Sequence, residues 1–335
     1  MFFLCFPLLF IGNRFLVLGQ VIHFSQAYEA HLVLNPANTG RFNGDWRAVG
    51  AYRHQGDNLS NDYSTIFLSF EKPFYLRSEK INTGFFYSRD NSAGGTFPVD
   101  RLNISVASGV WLSGNSMLSA GIQVAYVHKQ VNWNGITFPD QYNRDTGGFD
   151  PSLPTGDMRE ASTTSFLDLG LGLVYSKTLR KSVITVGYSL QQINQPTESF
   201  FDLEEKLPVK HFFHLKGDIP LSNHLFVIPS GVVVTQGQNN ALLAGAHLGY
   251  NIRDWYSVSN SVIGGVHFRN AALFNVRSLV ASVGLTWQFY KFMVSYDMPL
   301  GSAPSDFNNS ALEFTFGFRI PSTDLNYKTI PCERY

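Results

Sequence analysis

The chain has 335 residues, 25 acidic and 25 basic side chains, and a charged share of 15%, well below the quarter usual for globular domains. This neutral balance supplies no cationic surplus to neutralise phosphates, which excludes nucleic acid as an expected partner. The only thiols are Cys5 and Cys332; a single one left after loss of a leader cannot staple the fold, so stability must come from backbone pairing and packing.

The first stretch, "MFFLCFPLLFIGNRFLVLG", is apolar but interrupted at Gly12, Asn13 and Arg14. It therefore reads as a signal peptide over residues 1–19 rather than a spanning helix of about twenty apolar residues, although no Lys or Arg precedes its apolar core. Residues 20–45 follow, too polar for a membrane helix and too irregular for a strand, and are expected as a periplasmic motif segment. Within it Leu32, Val33 and Leu34 can form a small apolar anchor, and Pro36 stops any helix begun at Gln26 to His31. Gly40 and Gly44 permit a turn into Trp46.

From Trp46 onward the apolar residues recur at every second position, the signature of strands with one apolar face. In "ALEFTFGFRI", Leu312, Phe314, Phe316, Phe318 and Ile320 share one face, and Glu313, Thr315, Gly317 and Arg319 share the other. The polar faces are mostly Gly, Ser, Thr, Asn and Gln instead of the Lys and Glu of a water-facing sandwich. That composition predicts an all-β transmembrane antiparallel outer-membrane barrel over residues 46–320, with its polar face inward. Fourteen strands are expected, beginning near Trp46, Tyr63, Ile81, Leu102, Met117, Ser165, Ser182, Lys210, His224, Ala241, Tyr256, Val276, Phe292 and Ala311.

Connections after odd-numbered strands average about 14 residues and those after even-numbered strands about 5, the long-loop and short-turn alternation of outer-membrane barrels. It places both termini on the periplasmic side, with residues 321–335 as a C-terminal tail. Aromatic residues near strand ends, among them Tyr52, Phe86, Trp111, Tyr126, Trp287 and Tyr290, are expected in interface girdles.

Chemistry-bearing motifs are scarce. No phosphate-cradling glycine loop, CxxC pair or HExxH helix occurs, so no cofactor, metal or catalytic residue is expected. The longest connection, about 36 residues between Gln130 and Thr164, holds Asp140, Asn143, Asp145, Asp150, Asp157 and Glu160 without the spacing of a calcium loop. It reads as a solvated external loop and a candidate partner surface. His128, His211, His214, His247 and His267 lie in or beside strands and are expected to face a polar lumen; no Ser–His pair stands out.

Residues 23–55, "HFSQAYEAHLVLNPANTGRFNGDWRAVGAYRHQ", resemble the N-terminal signature of the PorP/SprF family of Bacteroidetes outer-membrane proteins. The matching positions are His23, Phe24, Ser25, Gln26, Leu34, Asn35, Pro36, Ala37, Gly40, Tyr52, Arg53 and Gln55, with His54 where the family usually has Asn. "VITVGYSLQQINQP", "IPSGVVV" and "VSYDMPLG" resemble later family segments. The resemblance implies a non-catalytic barrel in the outer-membrane lipid that serves type IX secretion and gliding. Such a barrel would work with secretion components and a large secreted surface protein. Residues 20–45 are then expected against the periplasmic mouth or lower lumen, helping to fix partner docking. A porin-like or hydrophobic-solute channel is the alternative.

Overall fold

The computed structural model describes residues 24–56, 63–76, 79–133, 136, 138–150, 152–154, 163–198, 206–255, 258–272, 275–300 and 310–320. Fourteen antiparallel strands close into one barrel: β1 (Trp46–Gln55), β2 (Tyr63–Leu76), β3 (Glu79–Ser92), β4 (Phe97–Ser113) and β5 (Ser116–Gln130) come first. Two short strands, β6 (Tyr142–Asn143) and β7 (Gly148–Phe149), form a separate hairpin within the connection that follows. The wall continues with β8 (Thr163–Leu179), β9 (Ser182–Gln191), β10 (Lys210–Pro220), β11 (Leu225–Gln236) and β12 (Asn239–Trp255). It ends with β13 (Val258–Ala272), β14 (Asn275–Trp287), β15 (Tyr290–Pro299) and β16 (Ala311–Ile320).

Each wall strand pairs with its sequence neighbour, and β1 pairs with β16 from Trp46↔Ile320 to Gln55↔Ala311. Closure leaves no strand edge to be satisfied in hydrocarbon, where an unpaired backbone group would cost several kcal/mol. One end carries the connections 77–78, 114–115, 180–181, 221–224, 256–257 and 288–289, which are uniformly short. At the other, residues 56–62, 131–162, 192–209 and 300–310 are longer, but 93–96, 237–238 and 273–274 are as short as those of the first end. The alternation is thus weaker than expected, because β4, β12 and β13 pair further toward that end than the apolar alternation alone marks.

The period-two pattern sorts as the polar-face argument requires. Along β8, Leu167, Leu169, Leu171 and Leu173 are exposed on the outside, while Asp168, Val174 and Ser176 are buried inside. Along β5, Ile122, Val124 and Tyr126 face out and Ser119, Gln123, Ala125 and Val127 face in. Tyr52, Trp111, Tyr126, Trp287 and Tyr290 are exposed at strand ends as girdle residues should be. Phe86 is the exception: 2% exposed, it points inward and packs with Phe67 at a centroid distance of 5.5 Å. Two large aromatic rings inside a supposedly polar lumen require something apolar there to cover them.

The outward face tolerates charge poorly near the bilayer midplane. Leu171→Arg, at the middle of β8, is expected to lower stability by about 2–4 kcal/mol, read from urea unfolding in lipid vesicles. A stability equal to wild type would place that face in water.

Candidate functional site in the barrel lumen

Residues 24–45 fill the lumen. They begin at the level of Arg53, near the end of β1 that leads into its long connection, and descend to Glu29 and His31 near the short turns. They then cross to β8 and β9 at Asn35 and return beneath β2 and β5 to Trp46. A bend over Ser25–Ala30 leads into one helical turn, α1 (His31–Leu34), followed by a 3₁₀ turn at Pro36–Asn38. Pro36 does end the helix, as its missing N–H and fixed φ dictate. The expectation of a place at the periplasmic mouth or lower lumen is too shallow: the segment spans much of the barrel's interior.

Apolar side chains of the segment explain the inward aromatics. Phe24, Ala30 and Leu32 pack with Phe67, Phe86, Val49 and Ala51 on one wall, Phe24 meeting Phe67 edge-on at 5.5 Å. Ala27 and Leu34 pack with Phe212, Val232 and Val234 on the opposite wall. The tripeptide Leu32-Val33-Leu34 thus anchors both sides of the lumen, Val33 joining the first cluster.

An irregular backbone at membrane depth needs every polar group paired by protein. Turns within the segment pair some of these groups, and wall side chains pair others. Both oxygens of Glu313 accept backbone N–H groups, from Ser25 at 2.7 Å and Gln26 at 3.0 Å. Glu71 accepts from Gly40 N–H at 2.8 Å. Ser189 Oγ donates to the Leu34 carbonyl at 2.6 Å, and Gln191 Nε2 donates to that of Val33 at 2.7 Å. Asn35 works in the other direction: its Nδ2 donates to the Leu173 and Tyr188 carbonyls at 3.0 and 3.1 Å, and its Oδ1 accepts from Ala37 N–H at 2.8 Å, capping the 3₁₀ turn.

Two buried charge centres flank the segment. At the upper one, Arg53 pairs with Asp297 at 3.0 Å and Glu313 at 3.5 Å, and Arg269 pairs with Asp297 at 3.1 Å. Ser25 Oγ sits in its middle, donating to Asp297 Oδ1 at 2.5 Å and accepting from Arg269 at 2.9 Å and from Arg53. At the lower one, the fully buried Glu71 is held by Arg47 at 3.0 Å and His31 at 2.7 Å. Desolvating such charges is costly unless each keeps its partners; truncating one would leave the others uncompensated, at about 3–5 kcal/mol.

Shape completes the fit. A Cβ on Gly121 would stand 2.5 Å from the Pro36 carbonyl carbon, and one on Gly172 would stand 1.9 Å from Asn35 Oδ1. A Cβ on Gly84 would lie 2.8 Å from Thr39 Cγ2. These inward glycines form the notch that receives the Asn35-Pro36-Ala37 turn. Gly40 has φ +66°, a left-handed conformation open to glycine at little cost.

The motif residues therefore divide. Phe24, Ser25, Gln26, Asn35, Pro36, Ala37, Gly40 and Arg53 come together in the lumen, and Gln55 Oε1 accepts from Arg53 at 3.2 Å. Tyr52 points away from them, 43% exposed on the outer face of β1. His23 lies outside the described residues, as do Cys5, Cys332, Asp157 and Glu160. Among the histidines, His214 is buried, with Nε2 3.3 Å from Asn35 Nδ2, whereas His211 is on the outer face bonded to Tyr188 at 2.7 Å, contrary to the expected lumen placement. His247 and His267 face inward with ring centroids 4.6 Å apart, each bonded to a serine, Ser282 at 3.0 Å and Ser230 at 2.9 Å. Neither imidazole is hydrogen-bonded to a carboxylate, the group that would orient a base. Among the described residues no cluster of three or more His, Cys, Asp or Glu is placed to hold a metal ion.

The notch makes a direct demand on sequence. Gly121→Val is expected to leave the outer face and barrel closure intact but to expel the Asn35–Ala37 turn. Protease added to the folded protein should then cut between Phe24 and Asp45 at a rate at least tenfold above wild type, a shift of about 1.4 kcal/mol in local opening. Unchanged protection would show that the turn does not rest on this wall.

No curated protein sequence matches the chain. Several solved barrels resemble it in fold. The TodX monoaromatic hydrocarbon channel aligns in two deletion mutants, deltaS2S3 (TM-score 0.54, 10% identity) and deltaS2 (0.53, 9% identity), each alignment covering 88% of this chain and 94% of the channel. The toluene transporter TbuX of Ralstonia pickettii aligns at TM-score 0.50 and 11% identity, over 87% of this chain and 94% of its own. At such identities the likeness concerns fold alone, that of outer-membrane barrels. The model of the type IX secretion system membrane protein PorP/SprF matches residues 17–318, from ahead of the lumen segment to the last strand. This chain is a member of the PorP/SprF family of type IX secretion membrane proteins.

Proposed function

We propose that this protein is a plugged, non-catalytic outer-membrane barrel that helps to export or anchor a large surface protein, or couples the periplasmic secretion machinery to the outer membrane. Family membership supports a place in type IX secretion. The observation that carries the rest is the lumen itself, which is occupied by a segment held by buried carboxylates and seated in a glycine notch. The work is then done at the rims, by contact. The C-terminal end of the barrel belongs to the periplasmic side in this reading, since the last strand ends beside the short turns. The outer contact surface is the connection 131–162. There Gln141, 1% exposed, braces a hairpin through its bonds to Phe138 N–H at 3.1 Å and the Leu153 carbonyl at 3.0 Å. That hairpin presents Tyr142 and Phe149, half exposed and 5.3 Å apart.

A hydrophobic-solute channel is the second reading. One feature favours it, a mainly apolar void of about 470 Å³ between the segment and β10–β12, lined by Phe24, Ala27, Leu34, Phe212, Val232 and Leu243. Uptake of a labelled aromatic solute into vesicles bearing the barrel would support this reading; none beyond empty vesicles would remove it.

Removal of residues 20–44 behind an intact leader separates docking from simple filling. The shortened barrel is expected to insert and to lose surface display of its cargo by at least tenfold. Wild-type display from an inserted, shortened barrel would contradict the docking role and leave the segment as filler.

A further inference from the structure

At the short-turn end a cleft of about 630 Å³, open at its mouth, lies between the lumen segment and the rim formed by β1 and β14–β16. Its inner wall is polar. Among the described residues lining it, Arg47, Lys291 and Arg319 supply three cations and Glu29 one carboxylate. Lys291 holds Glu29 at 2.6 Å, and Arg47 leans on Glu71 beneath. Thr286 lines the same cleft, more than nine-tenths buried, and its hydroxyl has no hydrogen-bond partner among the described residues. A buried hydroxyl left without a partner is uncommon and calls for a ligand or another explanation.

The outer lip is aromatic and continuous with the lipid-facing wall. Phe318 and Tyr290 line the cleft and stack on each other at 4.9 Å. Trp46 packs on Phe318 at 5.1 Å, Phe316 on Tyr290 at 6.0 Å, and Phe292 extends the patch at 5.0 Å from Phe316. Aromatic rings at strand ends sit at headgroup depth. A ligand that satisfies both walls has an anionic head that accepts hydrogen bonds and an apolar tail leaving over the lip into hydrocarbon.

We propose that this cleft binds the phosphate headgroup of an anionic glycerophospholipid from the leaflet next to the short turns, with its acyl chains lying on Phe318, Tyr290 and Phe292. The phosphate oxygens accept from Lys291, Arg319 and the Thr286 hydroxyl. Each cation near a membrane surface contributes roughly fivefold to such an affinity. The bound lipid would fix the azimuth of the barrel rim in its leaflet, and the inference is independent of what the barrel exports.

The test uses the full chain in nanodiscs of phosphatidylglycerol and phosphatidylethanolamine, with retained lipid identified by native mass spectrometry. Barrel closure of every variant is checked by heat-modifiable migration. Wild type is expected to retain phosphatidylglycerol roughly 25-fold or more above its share of the bilayer, two cations at about fivefold each. Lys291→Gln with Arg319→Gln should lower that retention about 25-fold, two cations at fivefold each. Thr286→Val, which changes no charge, should lower it about tenfold. Lys129→Gln, at the other end of the barrel, should leave it unchanged. Equal retention of both lipids, or unaltered retention in the double and Thr286 variants, would overturn the proposal. So would displacement of the lipid by inorganic phosphate or by a glutamate-rich peptide, since either would mean that the tail and its aromatic lip contribute nothing.

Discussion

The structure depends on one constraint: an irregular peptide inside a membrane barrel must have its backbone polar groups paired by the wall. Glu313 accepts two successive N–H groups of the segment, Glu71 accepts a third, and Ser189 and Gln191 donate to two of its carbonyls. The polar inner face is therefore a set of hydrogen-bond partners for one particular guest. Buried carboxylates of this kind are tolerable only with cations beside them, which is the role of Arg53, Arg269, Arg47 and His31. The guest in turn covers Phe67, Phe86 and Phe212, rings that would otherwise face a wet lumen. Barrel and segment are complementary in charge, hydrogen bonding and apolar area.

This complementarity shapes the wall unevenly. Toward β1, β2, β15 and β16 the segment is held by ions, toward β3, β5 and β8 by a glycine notch, and toward β10–β12 by aliphatic contact. Tyr28 bridges β10 and β11 from within, its Oη 2.6 Å from the Leu215 carbonyl and 2.9 Å from that of Gly231. Directional bonds fix the register of the segment on the ion-paired side. The aliphatic side, with its residual void, permits more adjustment, since apolar contact is non-directional.

Much of the fold was legible because two independent periodicities agree. Alternation of apolar residues sets the strands and their outward faces, and the Gly, Ser, Thr and Asn content of the other faces sets the barrel apart from a sandwich. The strand starts near Trp46, Tyr63, Ser182, Lys210 and Ala311 are those of the structure. The site was less legible. "HFSQ" and "LNPA" mark the segment, but its receptors, Glu71, Asp297 and Glu313, are single residues on distant strands with no motif around them. The available signal was parity, since each is a carboxylate at an inward position among small neutral residues, where a charge must be paired. Nothing in the sequence around inward glycines such as Gly121 and Gly172 shows what they accommodate; only the segment's path does. Phe86 read as a girdle residue because sequence alone does not reveal that the lumen is occupied.

Amide hydrogen exchange on the full barrel in lipid tests this account most directly. If wall side chains pair the segment's backbone, the N–H groups of Ser25, Gln26 and Gly40 should exchange as slowly as those in the β1–β16 ladder. Exchange of these three at the rate of an open peptide, with the ladder still protected, would contradict it.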